Sequence, residues 1–191
     1  MSAITTRKMT VAEYLAWGER PENAELRTEL VDGEVIEMPP AADGHGTICY
    51  LIAGHFFVYF LTHPPGYART NDSGFVVAPN TVRGPDVAVF KQEMKGVVLS
   101  GYGKRTPVLC AEVASPSDRM TQLHNRVKQY HAAGVSVVWI VRPEDRVITA
   151  HRKGDPVELF EGDAVLTAEP EFPGFSCRLA DLFAPPSDEW P

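Results

Sequence analysis

Asp86-Val87-Ala88-Val89-Phe90 and Val108-Leu109-Cys110-Ala111-Glu112-Val113 are two short apolar runs, each with one carboxylate near an end. Runs of this length, rich in β-branched residues, read as strands covered on both faces. Pro85 fixes the start of the first run and places Asp86 at its mouth. After the second run, Ser115-Pro116-Ser117 reads as a helix start, with a hydroxyl N-cap and Asp118 in the first turn. Met120, Leu123, Val127 and Tyr130 then recur on one face, and Gly134 ends that helix. Ser136 to Val141 reads as another buried strand, with Arg146 to Arg152 beside it.

Outward toward the N-terminus, Tyr67–Thr70 and Gly74–Ala78 are further strand-like runs. Gly46 to Leu61 is a long apolar helix, stopped by Pro64-Pro65-Gly66. Leu26 to Val31 and Glu34 to Met38 flank Asp32-Gly33 and predict a hairpin with a tight turn. Thr10 followed by Glu13 is a capping-box signal for a first helix carrying Tyr14, Leu15 and Trp17. Lys91 to Thr106, with three glycines and four cations, reads as a mobile loop. The acidic C-terminal part is expected to hold short strands at most. This order predicts an α/β fold, a mixed sheet flanked by helices. One domain is expected over 1–184, with 185–191 as a loose tail.

Composition narrows the function classes. A hydrophobic content of 44% with 23% charged residues is globular. Three cysteines without a close pair argue for a reducing compartment and against a disulfide framework. Cys49 and Cys110 sit in apolar runs and read as small buried hydrophobes. The N-terminal stretch lacks the apolar run of a signal peptide, and Ile48 to Leu61 is short for a bilayer. A cytoplasmic protein without a membrane partner is therefore expected. Net charge is −7, unevenly spread: −5 over residues 1–66, +4 over 67–130 and −6 over 131–191. The basic middle third weakly favours a phosphate-bearing ligand.

If the two carboxylate-bearing strands are neighbours, Asp86 and Glu112 could converge on one hard cation. The carbonyl of Val113 is a natural third oxygen, and magnesium keeps several waters of its own. The competing reading is that both are ordinary solubilising carboxylates at strand ends. Spacing alone leaves both open.

Longer stretches carry a resemblance. Arg83-Gly84-Pro85-Asp86-Val87, Glu112-Val113-Ala114-Ser115-Pro116-Ser117, Tyr130 to Gly134 and Val137-Val138-Trp139-Ile140-Val141 occur in one order. With Thr28 to Glu34, Met38-Pro39-Pro40, His45, Pro173-Gly174-Phe175 and Leu182-Phe183, they resemble the Uma-type family. That is a bacterial family of restriction-endonuclease-like proteins in the PD-(D/E)xK nuclease superfamily, and the likeness spans essentially the whole chain. It implies a restriction-endonuclease-like core and hydrolysis of phosphodiester bonds in DNA with Mg2+ or Mn2+. Asp86 and Glu112 would bind the metal, with Glu29 nearby as an outer metal-site carboxylate or a helper. A homodimer would suit double-strand cutting.

Two departures stand out. The superfamily's lysine two residues past the glutamate is Ala114 here. The lysine that relatives place on the following helix is Arg126, which can neutralise a phosphate but cannot act as a base. Lys128, at ~100° per residue, points away from the apolar face and reads as a surface residue. These departures keep a second expectation open: a catalytically inactive nuclease-fold module for nucleic-acid or protein interaction.

His45, at the entrance of the long helix, could meet a phosphate or the site carboxylates; a local hydrogen bond explains it equally. Arg83, Lys91, Lys95, Lys104 and Arg105 could touch a nucleic-acid backbone, or be ordinary solubilising cations. His55 reads as a core histidine, His124 and His131 as surface packing, and Trp139 as core. Ser115 and Ser117 lack an acid-base partner, and capping explains them.

Overall fold

Thr10 accepts from the Glu13 amide at 3.3 Å while the Glu13 carboxylate accepts from the Thr10 amide at 2.9 Å, and this reciprocal cap opens α1 (Val11–Gly18). The computed structural model describes residues 8–40, 42–71, 73–94, 101–103, 105–116 and 118–183. Next come β1 (Thr28–Val31) and β2 (Glu34–Glu37), joined through Asp32 at φ 50° and Gly33 at φ 84°. Two successive positive φ values are the type I′ geometry whose twist matches a hairpin. A Cβ on Gly33 would also stand 3.0 Å from the Lys8 Cβ, so glycine is required twice over.

The chain continues through α2 (Asp43–Thr62), β3 (Tyr67–Arg69), β4 (Phe75–Ala78), β5 (Thr81–Arg83), β6 (Val87–Phe90) and β7 (Leu109–Val113). After α3 (Met120–Ala132) follow β8 (Val137–Arg142), β9 (Val147–Arg152), β10 (Glu158–Phe160), β11 (Val165–Thr167), β12 (Ser176–Arg178) and α4 (Leu179–Leu182).

The strands form a six-stranded sheet in the order β10-β9-β8-β7-β6-β3 and a four-stranded sheet in the order β2-β1-β5-β4; β11 and β12 pair separately. In the larger sheet β7 and β8 are parallel, bridged by α3, and every other neighbouring pair is antiparallel. The fold is therefore α/β with a mixed sheet flanked by helices.

Strand alternation assigns the helices to faces. Val87, Val89, Leu109, Ala111 and Trp139 pack with Ile48, Ile52 and Phe56 of α2. Their neighbours Cys110, Val138 and Ile140 pack with Leu123, Val127 and Tyr130 of α3. The four-stranded sheet divides likewise: Leu30, Val35 and Val82 meet Tyr14 of α1, whereas Phe75 of β4 joins the cluster around α3. Helix α3 thus lies between the two sheets, and residues facing it from either sheet meet around it.

Several expectations are corrected. Helix α2 is longer than expected and only one face is covered, by Ile48, Cys49, Ile52, Phe56 and Phe60. Tyr50, Phe57, Val58 and Leu61 are exposed, and by length and composition alone the helix could cross a membrane. Ser115 does not cap α3. Asp118 accepts from the Ser115 amide at 2.8 Å and from its hydroxyl at 2.9 Å, closing a separate turn. The helix begins at Met120 with Arg119 as its N-cap, and Met120 is exposed. His55 is half-buried, not a core residue. Strand β5 was not anticipated. Tyr102 and Gly103, expected in a mobile loop, are held: Tyr102 stacks on Tyr14 and Gly103 bridges to Phe75. Residues 95–100, Lys104, Ser117 and the 185–191 tail lie outside the described residues.

Candidate active site

Glu29 and Arg83 come together because β1 and β5 are antiparallel neighbours. The Leu30–Val82 register, continued by one residue, sets Glu29 opposite Arg83 on the face toward α3. Arg83 donates to the Glu29 carboxylate at 2.7 Å, and the Gly84 amide donates to its other oxygen at 2.9 Å. Gln129 of α3 accepts from Arg83 Nε and Nη2, at 2.9 and 2.7 Å.

The same geometry operates in the larger sheet. The register of β6 on β7 pairs Val87 with Ala111, and Asp86 and Glu112 are the residues that follow these two outward. The two carboxylates line one cavity, and the charge of Asp86 bears on Glu112. Glu112 accepts from Arg126 Nη1 at 2.6 Å and from the Tyr130 hydroxyl at 2.5 Å. Arg126 also reaches Glu29, at 3.4 Å, and so ties the two sheets together. Glu29, Arg83, Glu112 and Arg126 are all buried; two carboxylates and two guanidiniums cancel, as buried charges must.

Asp86 stands at the rim. One oxygen accepts from the Val113 amide at 2.6 Å and the other lies 3.1 Å from His45 Nε2. His45 is not ahead of α2 but within its first turn. Its other ring nitrogen lies 3.6 Å from the Cys49 Sγ. The hydrogen bonds to Asp86, then to Cys49, hold the imidazole ionised and raise its pKa to about 10. Glu112 moves the other way from a working carboxylate. Burial, reinforced by the charges of Asp86 and Glu29, outweighs Arg126 and the Tyr130 hydrogen bond and lifts its pKa to about 7. Burial likewise pushes the Tyr130 hydroxyl up, so it remains a donor.

A cavity of about 1090 Å³ adjoins these groups, lined among others by His45, Asp86, Glu112, Ala114 and Arg126. The donors suit a hard divalent cation. Each oxygen of Asp86 and Glu112 accepts from one protein donor, which leaves a lone pair apiece. Val113 meets Asp86 through its amide; the third-ligand role expected of its carbonyl stays an expectation.

The structure thus brings Glu29, Asp86, Glu112 and Arg126 into one region, with His45 at its edge. It does not bring Arg83 to a nucleic-acid backbone: that side chain is 6% exposed and consumed by Glu29 and Gln129. Arg105 donates to the Glu93 carbonyl at 3.1 Å, within its own loop. Lys128 is exposed, as expected, and Trp139 is core. Tyr130 and Gln129 were missed as site residues; an apolar stripe ending in a tyrosine gives no sign that its hydroxyl finds a carboxylate.

No curated protein matches the chain. Among solved structures, a crystal structure described as "a putative nuclease belonging to DUF820" from Anabaena variabilis superposes with a TM-score of 0.77. At 19% identity, over 92% of this chain and 97% of that one, the likeness is one of fold. Residues 11–180 match the family model described as "Uma2: Putative restriction endonuclease", and the chain belongs to that family.

Proposed function

We propose that this protein is a nuclease hydrolysing phosphodiester bonds in DNA with a divalent cation, Mg2+ or Mn2+, at the cavity bordered by Asp86 and Glu112. The observation that carries the reading is that these two carboxylates line one cavity, with Arg126 against Glu112. Asp86 and Glu112 would hold the cation, which would supply a water of lowered pKa and charge neutralisation at the phosphate.

The chain's own groups have separable parts. The Val113 amide and His45 orient Asp86. Tyr130 and Arg126 orient Glu112 and keep its charge compensated. Arg126 cannot take a proton from water, and Ala114 has nothing to offer at the alternative position. The imidazolium of His45 places positive charge at the cavity edge, where a phosphate would approach. Glu29 acts through Arg126 as a positioning residue.

Plasmid incubated with purified protein is expected to be cut with Mg2+ or Mn2+ and not with EDTA. Asp86→Ala and Glu112→Gln should each abolish cutting. Cutting that persists in both variants belongs to a contaminant and removes the reading. One observation favours a second reading, an inactive nuclease-fold module: both oxygens of Glu112 already have protein donors, and Arg126 beside it cannot act as a base. Calorimetry separates the two, since a module takes up no cation through these carboxylates. We also infer a cytoplasmic location, which three buried free cysteines support. Homodimerisation rests on the need for two centres in double-strand cutting; a monomer mass in solution with DNA removes it.

A further inference from the structure

We propose that His45, Cys49 and Asp86 form a binding site for a borderline-soft divalent cation, zinc foremost, at the first turns of α2. The three side chains offer one nitrogen, one sulfur and one oxygen, all within 4.8 Å of one another. His45 and Cys49 are four residues apart on one helix, the spacing that stacks two side chains on the same face. Asp86 meets them from the neighbouring sheet.

The separations suit a common ion. Zinc stands ~2.0 Å from an imidazole nitrogen and ~2.3 Å from a thiolate, so a tetrahedral angle spreads these atoms by ~3.5 Å. The observed distance from Nδ1 to Sγ is 3.6 Å. Asp86 lies 3.1 Å from the opposite ring nitrogen, and since only one nitrogen can bind, its carboxylate swings toward the ion on loading. There is room for that movement. A second cavity, of about 790 Å³, is lined by His45, Cys49 and Asp86, while His45 and Asp86 also border the larger one. Water from either side can fill the fourth position, the open coordination of a non-structural zinc.

The donor set discriminates between metals. A thiolate and an imidazole select zinc or cobalt over magnesium, which wants oxygen alone. Cys49 as a small hydrophobe accounts for its own burial, but not for a ring nitrogen on its sulfur and a carboxylate beyond that ring. The proposal does not rest on the nuclease reading, although Asp86 takes part in both.

The test is a titration of Co2+ into the metal-free protein, kept reduced with a phosphine. One equivalent is expected to give thiolate-to-cobalt charge-transfer absorption and the intense visible bands of four-coordinate cobalt, both erased by Zn2+. Cys49→Ser should lose the charge-transfer band, whereas Cys110→Ser and Cys177→Ser keep it. His45→Gln, its fold checked by circular dichroism, should weaken Co2+ binding by at least roughly 10-fold. Absence of charge transfer in the wild type, or its survival in Cys49→Ser, overturns the proposal, as does unchanged affinity in folded His45→Gln. A protein that cuts plasmid in Mg2+ without this band loses the zinc site alone; a band without cutting in any metal removes the nuclease reading alone.

Discussion

Glu112 is a buried carboxylate between a guanidinium and a phenol, and His45 is an imidazole clamped between a carboxylate and a thiol. Each holds a proton in the native state more tightly than in the unfolded chain. Glu112 goes from an ordinary 4.5 to about 7, and His45 from 6.5 to about 10. Where the folded pKa is the higher one, stability is fully present below the unfolded value and is lost as pH rises through the folded value. The metal-free protein should therefore lose stability between about 4.5 and 7 through Glu112, and between about 6.5 and 10 through His45. Urea melts across that range should show the first decline flattened in Glu112→Gln and the second in Asp86→Asn. A wild-type stability that is level from pH 4.5 to 10 contradicts both assignments.

Asp86 and Glu112 were legible as a pair because each ends a recognisable strand, and Glu29 and Arg126 followed from the resemblance. Arg83 was misread for a physical reason. A lone cation ahead of Gly84-Pro85 reads as a backbone contact or a solubilising residue, and its partner lies 54 positions away. The same applies to Tyr130, whose donor role exists only once α3 packs on β7.

At the scale of elements, apolar periodicity located β6, β7, β8, α2 and α3, and Asp32-Gly33 located the first hairpin. Strand β5 escaped because its three residues alternate Thr81, Val82, Arg83 with both polar members buried; their burial depends on Asp32, Glu29 and Gln129 from elsewhere in the fold. Continuous apolarity in α2 also concealed which face is covered. Phe56 is fully buried and stacks on Phe175 with centroids 4.1 Å apart, while its neighbour Phe57 is 66% exposed. Chemical denaturation should therefore separate two adjacent, identical residues. Phe56→Ala should cost about 3–5 kcal/mol, and Phe57→Ser should stay within about 0.5 kcal/mol of wild type. Equal losses would mean that the helix presents another face to the sheet.

For the molecule as a whole, several described cations of the basic middle third are spent on internal partners. Of its cations, Arg83 and Arg126 are buried against Glu29 and Glu112, Arg69 lies over the rings of Tyr67 and Phe90, and Lys91 donates to the Glu171 carbonyl. Linear charge counts cannot see such internal neutralisation. What the architecture does provide is convergence: α3 lies between two sheets, and the faces they turn toward it carry Glu29, Arg83 and Glu112, which meet Arg126 on the helix. In the proposed nuclease, Asp86 and Glu112 share a hard cation at the cavity beside them. Anomalous diffraction from a crystal soaked in Mn2+ tests it most directly. A manganese peak within bonding distance of both carboxylates is the predicted result; a soaked crystal whose manganese avoids either carboxylate would contradict it.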